Sequence, residues 1–354
     1  MRYPVLRSAS EALADLAAFD TIIDVRSESE FALDHIPGAI NCPVLNDDER
    51  IRVGTLYKQD SPFKAKKIGA ALVARNIAAH LDAHFAEHPK GWRPLVYCWR
   101  GGNRSGAMAH ILAKVGWPAV QLEGGYKAYR QYLVSQIDEL AGYYRFKVVC
   151  GTTGSGKSRL LATLAAMDAQ VLDLEKLAAH RGSLLGSLPG EPQPTQKMFE
   201  SRIWQTLRRF HPKQGVFVES ESKKIGNLRV PDTLMDAIRA SACLRVNISD
   251  ANRVELLIED YPHLATDVAQ LMAQLEHLTP LHGRDKIGAW RALAESGNIP
   301  ALVQALLTQH YDPAYLKSIH RNFSGYRNAR PVDLEDVSAA SFASAAAALL
   351  SDER

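Results

Sequence analysis

A chain of 354 residues is too long for one ordinary compact core and suits two. At 46% hydrophobic and 23% charged it reads as a soluble globular protein, and no apolar run approaches the roughly 20 residues of a membrane-spanning helix. Four scattered cysteines exclude a disulfide framework and a C-x-x-C zinc site, and the net charge of +3 permits a nucleic-acid partner without requiring one.

The first nineteen residues, MRYPVLRSASEALADLAAF, lack the apolar core and cleavage site of a secretory signal, which predicts a cytoplasmic protein. Thr21–Val25 then reads as a buried strand, Ile68–Phe85 as a helix, Pro94–Cys98 as a strand, Ser105–Val115 as a helix after a Gly-rich turn, and Ala119–Leu122 as a strand. Leu133–Leu140 has helical spacing. The chain restarts with the strand Arg145–Cys150, so a boundary is expected near Ala141–Tyr144. A helix from Lys157 to about Met167 follows, then strands at Val171–Leu174, Val216–Glu219 and Cys243–Ile248, with the helix Asp232–Ser241 before the last. From Ala251 onward the pattern is almost wholly helical, ending in the Ala/Ser-rich stretch Ser338–Leu350. The alternation predicts an α/β protein of two domains, residues 1–140 and 141–354. Both have mainly parallel sheets, and the second carries a helical C-terminal region.

Gly151–Ser158, Gly-Thr-Thr-Gly-Ser-Gly-Lys-Ser, completes G-x-x-x-x-G-K-[ST] directly after an apolar strand and at the start of a helix. Backbone N–H groups of Gly151, Thr152, Thr153, Gly154, Ser155 and Gly156 can converge on phosphate oxygens. The helix end adds partial positive charge, Lys157 neutralises phosphate, and Ser158 can hold a magnesium ion. Asp173, Glu219 and Glu221 stand at or just beyond strand ends, where an acid that orients metal or water would sit; a solvent-facing acid is the equal alternative. The motif specifies a phosphate-bearing ligand and does not separate a nucleotide from another diphosphate. No metal site and no tightly bound cofactor is otherwise predicted.

Cys98-Trp99-Arg100-Gly101-Gly102-Asn103-Arg104 lies between a strand and a helix. N–H groups, a helix N-terminus and two arginines there favour the thiolate and can cradle a persulfide, a perselenide or an oxyanion. Asp24-Val-Arg26, Glu30-Phe31, His35-Ile-Pro-Gly-Ala-Ile-Asn41 and Gly124-Gly125-Tyr126 resemble the signature of rhodanese-type sulfurtransferases. That resemblance implies that Cys98 carries the chalcogen and that Asp24 and Arg26 are scaffold. The loop departs from the common pattern: Asn103 takes the place of its last residue, and counted to Arg104 the spacing is the C-x5-R of cysteine phosphatases, although Tyr97 replaces their usual histidine.

The fusion of these two modules, with Val53–Ser61 and Val218–Gly226, is similar to the tRNA 2-selenouridine synthase family from about Asp24 to at least Val230. The resemblance implies a transferase acting on tRNA at wobble position 34. Geranyl diphosphate would alkylate the sulfur of 2-thiouridine, and selenium from selenophosphate would then displace the S-geranyl group. A protein supplying selenophosphate is a further partner consistent with that chemistry. RNA contacts are expected among Lys64, Lys66 and Lys67; Arg202, Arg208, Arg209 and Lys213; and Lys223, Lys224 and Arg229. Trp99, and Tyr311, Tyr315 and Phe323 with Arg321 and Arg327, are further candidates. Three other readings stay open on the residues alone: a phosphate-loop kinase or NTPase with a regulatory rhodanese domain, a cysteine phosphatase, and a sulfur carrier.

Overall fold

The computed structural model describes residues 3–182, 190–261 and 268–351. The chain divides into two compact units, the first comprising Met1–Ile137 and Pro194–Gln205, the second Asp138–Gln193 and Thr206–Arg354. The segment Pro194–Gln205 thus returns to the first unit, which a single cut near residue 140 does not anticipate.

Strands β1 (Val5–Arg7), β2 (Thr21–Asp24), β3 (Ala39–Asn41), β4 (Pro94–Tyr97) and β5 (Val120–Leu122) form the first sheet in the order β1-β5-β4-β2-β3. Every pairing is parallel. All four β4 residues are buried, as expected of an apolar strand covered on both faces. A strand at Thr21 and another at Ala119–Leu122 follow from their apolar runs, whereas β1 and β3 are three-residue pieces without a pattern of their own. The helix expected at Leu133–Leu140 is longer, Gly125–Tyr143, and that at Ile68–Phe85 starts earlier, at Pro62, capped by the Ser61 hydroxyl.

The second sheet is built from β6 (Phe146–Cys150), β7 (Gln170–Leu172), β8 (Val216–Glu219), β11 (Ala242–Asn247) and β12 (Arg330–Asp333), in the order β12-β11-β6-β8-β7 and parallel throughout. A separate antiparallel hairpin pairs β9 (Lys224–Ile225) with β10 (Leu228–Arg229). Two expectations are corrected. The strand at Val171–Leu174 stops at Leu172, because Asp173 caps a new helix, Leu174–Ala178. The region after Ala251 contains β12, whose charged residues and Pro331 hide it; Pro331 is tolerated because β12 is an edge strand.

The Ala/Ser-rich end is the helix Ala339–Ser351, and its apolar side packs Phe342, Ala346 and Leu349 into the core beside Leu160, Leu161 and Leu164 of the helix that follows the phosphate loop. Phe342 comes so close that a Cβ at Gly156 would lie 2.7 Å from its ring. Among the described residues, no helix is long and apolar enough to cross a membrane.

Candidate functional site

Cys98 stands one residue past β4, at the carboxyl end of the central strand of the first sheet, where ligands of open parallel sheets bind. The loop leads to the helix Asn103–Val115. Gly101 and Gly125 adopt φ of +64° and +55°, and a Cβ on Gly101 would lie 2.8 Å from the Gly124 nitrogen. The absence of those side chains lets the loop close on the Gly124–Gly125 turn. The closure is fixed by N–H bonds from Tyr126 to the Cys98 carbonyl (2.8 Å) and from Lys127 to that of Trp99 (3.0 Å).

Cys98 is 4% exposed, and its Sγ accepts a hydrogen bond from the Ser105 hydroxyl at 3.2 Å. The amide of Gln121 donates to the Ser105 oxygen (3.1 Å) and to the Gly101 carbonyl (2.6 Å). With its oxygen already accepting from Gln121, Ser105 directs its own proton to sulfur; its other acceptor, the Gly102 carbonyl, lies at 3.3 Å and also receives Gln121. Burial pushes the Cys98 thiol up. The Ser105 hydroxyl and N–H, the Arg104 charge and the Arg100 N–H outweigh it and leave the pKa below that of an ordinary thiol. Cys42 has no such donors and is pushed up to about 11 by burial and by Asp24.

The other predicted loop residues divide by role. Gly102 and Asn103 begin the helix, while Arg100 and Trp99 are exposed, Trp99 leaning on the Tyr126 ring with centroids 5.3 Å apart. Arg104 does not point freely into the loop: it is held 3.0 Å from Glu30, which also pairs with Arg50, and it acts on Cys98 through its field. Asp24 and Arg26 form a buried pair at 2.6 Å, and the Arg26 guanidinium lies 3.9 Å from the centre of the Tyr126 ring, so both are scaffold under the loop.

In the second unit, the phosphate loop leaves β6 and enters the helix Lys157–Ala166. Lys157 Nζ donates to the carbonyls of Gly151 (2.6 Å) and Thr152 (3.2 Å), and burial lowers its pKa against the attraction of Glu175 and Glu221. Ser158 donates to the Glu175 carboxylate at 3.1 Å, and Glu175 N–H donates to Glu219 at 2.9 Å. Burial, then repulsion from Glu221, pushes Glu175 up to about 8; burial with the neighbouring acids raises Glu219 as well. Glu219 is 3% exposed, and its Oε2 has no hydrogen-bond partner. Of the three acids predicted from strand ends, Glu219 and Glu221 therefore stand around Lys157. Asp173 accepts the Lys176 N–H at 2.8 Å as a helix cap, and it also lines the cleft. Among the described residues, no three His, Cys, Asp or Glu side chains converge as a metal-ligand set.

The loop opens on a cleft of about 680 Å³. Its lining combines Gly154–Ser158 with the apolar and aromatic Leu257, Tyr261, Tyr311, Ile319 and Phe323 and with charged residues that include Glu175, Arg181 and Glu221. Tyr311, Tyr315 and Phe323, candidates for an RNA surface on sequence grounds, thus stand in the wall of this cleft. Arg253 supports the loop from behind, donating to the Thr153 carbonyl (2.9 and 3.0 Å) and to Asp312 (2.5 and 3.0 Å). Ser105, Gln121, Glu175 and Arg253 were not singled out from the sequence as site residues. Ser105 and Glu175 adjoin residues that were, whereas Gln121 and Arg253 belong to elements that only the fold brings alongside.

The family model of the rhodanese-like domain matches residues 8–132, and that of the tRNA 2-selenouridine synthase AAA domain matches 144–282. The tRNA 2-selenouridine synthase of Nitrosomonas europaea is 36% identical over 288 residues, covering 78% of this chain and 73% of its own length. That of Bdellovibrio bacteriovorus is 33% identical over 343 residues, 85% of this chain and 89% of the relative. That of Aeromonas salmonicida is 34% identical over 324 residues, 83% and 86%. With identity at this level across both units, the chain belongs to the tRNA 2-selenouridine synthase family.

Proposed function

We propose that the protein is a transferase converting 2-thiouridine to 2-selenouridine at the wobble position of tRNA, in two steps. In the first, the thiocarbonyl sulfur attacks C1 of geranyl diphosphate, the C1–O bond breaks, pyrophosphate leaves, and the uracil N3 proton is lost to solvent. In the second, the selenium of selenophosphate adds at C2 and geranyl thiolate departs, to be protonated by solvent; water then cleaves the P–Se bond, releasing phosphate and returning a proton to N3. Alkylation is what turns a poor leaving group at C2 into a good one.

The observation that carries this reading is the mixed lining of the cleft in the second unit. The phosphate loop shares it with Leu257, Tyr261, Ile319 and Phe323, which suits a ligand that is anionic at one end and hydrocarbon at the other. Lys157 and the loop N–H groups would stabilise the departing pyrophosphate. A magnesium ion accompanying it would find hard oxygen donors in Ser158 and Glu175 and would neutralise the charge that develops on the leaving group. The lowered pKa of Cys98 and the N–H groups around it support a role for this loop in positioning selenophosphate for the second step. For the RNA, the β9–β10 hairpin sets Lys224 opposite Arg229 and so gathers two cations on one short element that a phosphate backbone could meet.

The test is equilibrium binding of labelled geranyl diphosphate to the full chain. Binding abolished by Lys157→Ala and not competed by ATP is expected; ATP competing at comparable affinity would favour a kinase or NTPase.

A further inference from the structure

The loop motif is one that nucleoside triphosphate enzymes also use, so what decides the ligand must lie outside it. In such a loop the backbone N–H groups and the helix end hold the phosphates nearest the helix, and the lysine reaches toward the next phosphate outward. Here that outward space carries a side chain. Tyr315, on the helix Asp312–Asn322, accepts the Gly151 N–H at 2.8 Å through its phenolic oxygen, and that oxygen lies 2.9 Å from Ser220 Oγ. Its ring centre is 5.5 Å from Lys157 Nζ. Ser220 directly follows β8, so the phenol spans from the first residue of the loop to the end of the neighbouring strand, with its ring beside the lysine.

We propose that Tyr315 sets the number of phosphates the loop accepts: its ring takes the place of a third phosphate, so that the cleft admits a diphosphate ester and turns away a triphosphate. The inference deepens the reading of this cleft as a prenyl diphosphate site, on which it rests, and explains how a complete phosphate-loop motif can serve a ligand that is not a nucleoside triphosphate. A further feature supports it. The helix bearing Tyr315 is bolted to the loop: Arg253 bonds both Asp312, in its first turn, and the Thr153 carbonyl, so ring and loop keep one spacing.

Calorimetric titration of the full chain with inorganic pyrophosphate and tripolyphosphate tests the phosphate count without the organic group. The wild type is expected to bind pyrophosphate roughly tenfold or more tightly than tripolyphosphate, the ratio set by about 1.4 kcal/mol. Tyr315→Ala should abolish or invert that preference. Tyr315→Phe, which keeps the ring and loses the bond to Gly151, should retain it. Equal binding of the two anions by the wild type, binding of neither, an unchanged preference in Tyr315→Ala, or a lost one in Tyr315→Phe overturns the proposal. Preference for pyrophosphate together with no binding of geranyl diphosphate would overturn the prenyl reading alone and leave the phosphate count supported.

Discussion

Ser105 shows how one hydroxyl can decide the chemistry of a buried thiol. Cys98 is as inaccessible as a core cysteine, and burial alone would raise its pKa; the bond from Ser105, oriented by Gln121, leads the effects that bring it below that of an ordinary thiol. A hydrogen bond to a charged group contributes about 1.5–3 kcal/mol, so Ser105→Ala should lower the thiolate fraction at neutral pH roughly tenfold or more. The sign follows directly. Losing a donor to the thiolate raises the thiol pKa, so the pH profile of Cys98 alkylation by iodoacetamide should move to higher pH, with the plateau rate at alkaline pH unchanged. Gln121→Leu should move it the same way by a smaller amount, because Ser105 remains but is free to turn to the Gly102 carbonyl. An unmoved profile in both variants would show that the loop N–H groups and Arg104 suffice. At this scale the sequence told where the thiolate stands, from a cysteine between a strand and a Gly-Gly turn. It could not tell how the thiolate is stabilised, because Gln121 belongs to a strand whose register against the loop is a property of the fold.

Helices from the C-terminal third, rather than the phosphate-loop motif itself, hold that loop in place. Arg253 is buried in the helix Asp250–Asp260 and ties the loop carbonyl of Thr153 to Asp312 of another helix. Replacing it by methionine keeps most of the volume but leaves Thr153 without its donors and Asp312 without its counter-charge. Such a loss costs about 3–5 kcal/mol where the pair is buried, and the lower end applies here because Asp312 is partly exposed. Arg253→Met should therefore lower the denaturant midpoint of the second unit and weaken pyrophosphate binding together; a lower midpoint with unchanged binding would confine Arg253 to a structural role. The elements with a strong period or an unbroken apolar run, β4, β6 and β8, were legible from the sequence nearly to the residue. β1, β3 and β12 were not: each has three or four residues, and all three lie at sheet edges where polar residues and proline are tolerated, so they exist because a neighbouring strand offers them a ladder. The helical spacing after Ala251 was clear, but which faces meet the loop depends on contacts over a hundred residues apart.

At the scale of the whole chain, the order of the modules in sequence understates how they are built. The helix Gln196–Leu207 lies mostly in the first unit, where Ser201 donates to the buried Asp34 at 2.7 Å and receives Tyr129 at 2.7 Å, and Glu200 pairs with Arg130. A fragment of residues 1–140 loses those partners and exposes the surface that buries Trp204. It should melt at lower temperature than the same fragment supplied with the 194–207 peptide; equal melting would show that the returning helix contributes nothing to the first unit. The two candidate sites also make separable demands on one substrate, which gives the proposed sequence of steps its sharpest consequence. In the proposed sequence alkylation would require Lys157 and not Cys98, whereas selenation would require Cys98 and act only on the alkylated base. Cells with Cys98→Ser as their sole copy should therefore accumulate S-geranyl-2-thiouridine and contain no 2-selenouridine. Cells with Lys157→Ala should contain neither and retain 2-thiouridine. Mass spectrometry of tRNA nucleosides from both strains grown with selenite reads all three species at once. Selenouridine formed in the Lys157→Ala strain would mean that selenium replaces sulfur without prior alkylation, and the phosphate loop would then need a different ligand; loss of the alkylated base in the Cys98→Ser strain would mean that the thiol takes part in both steps.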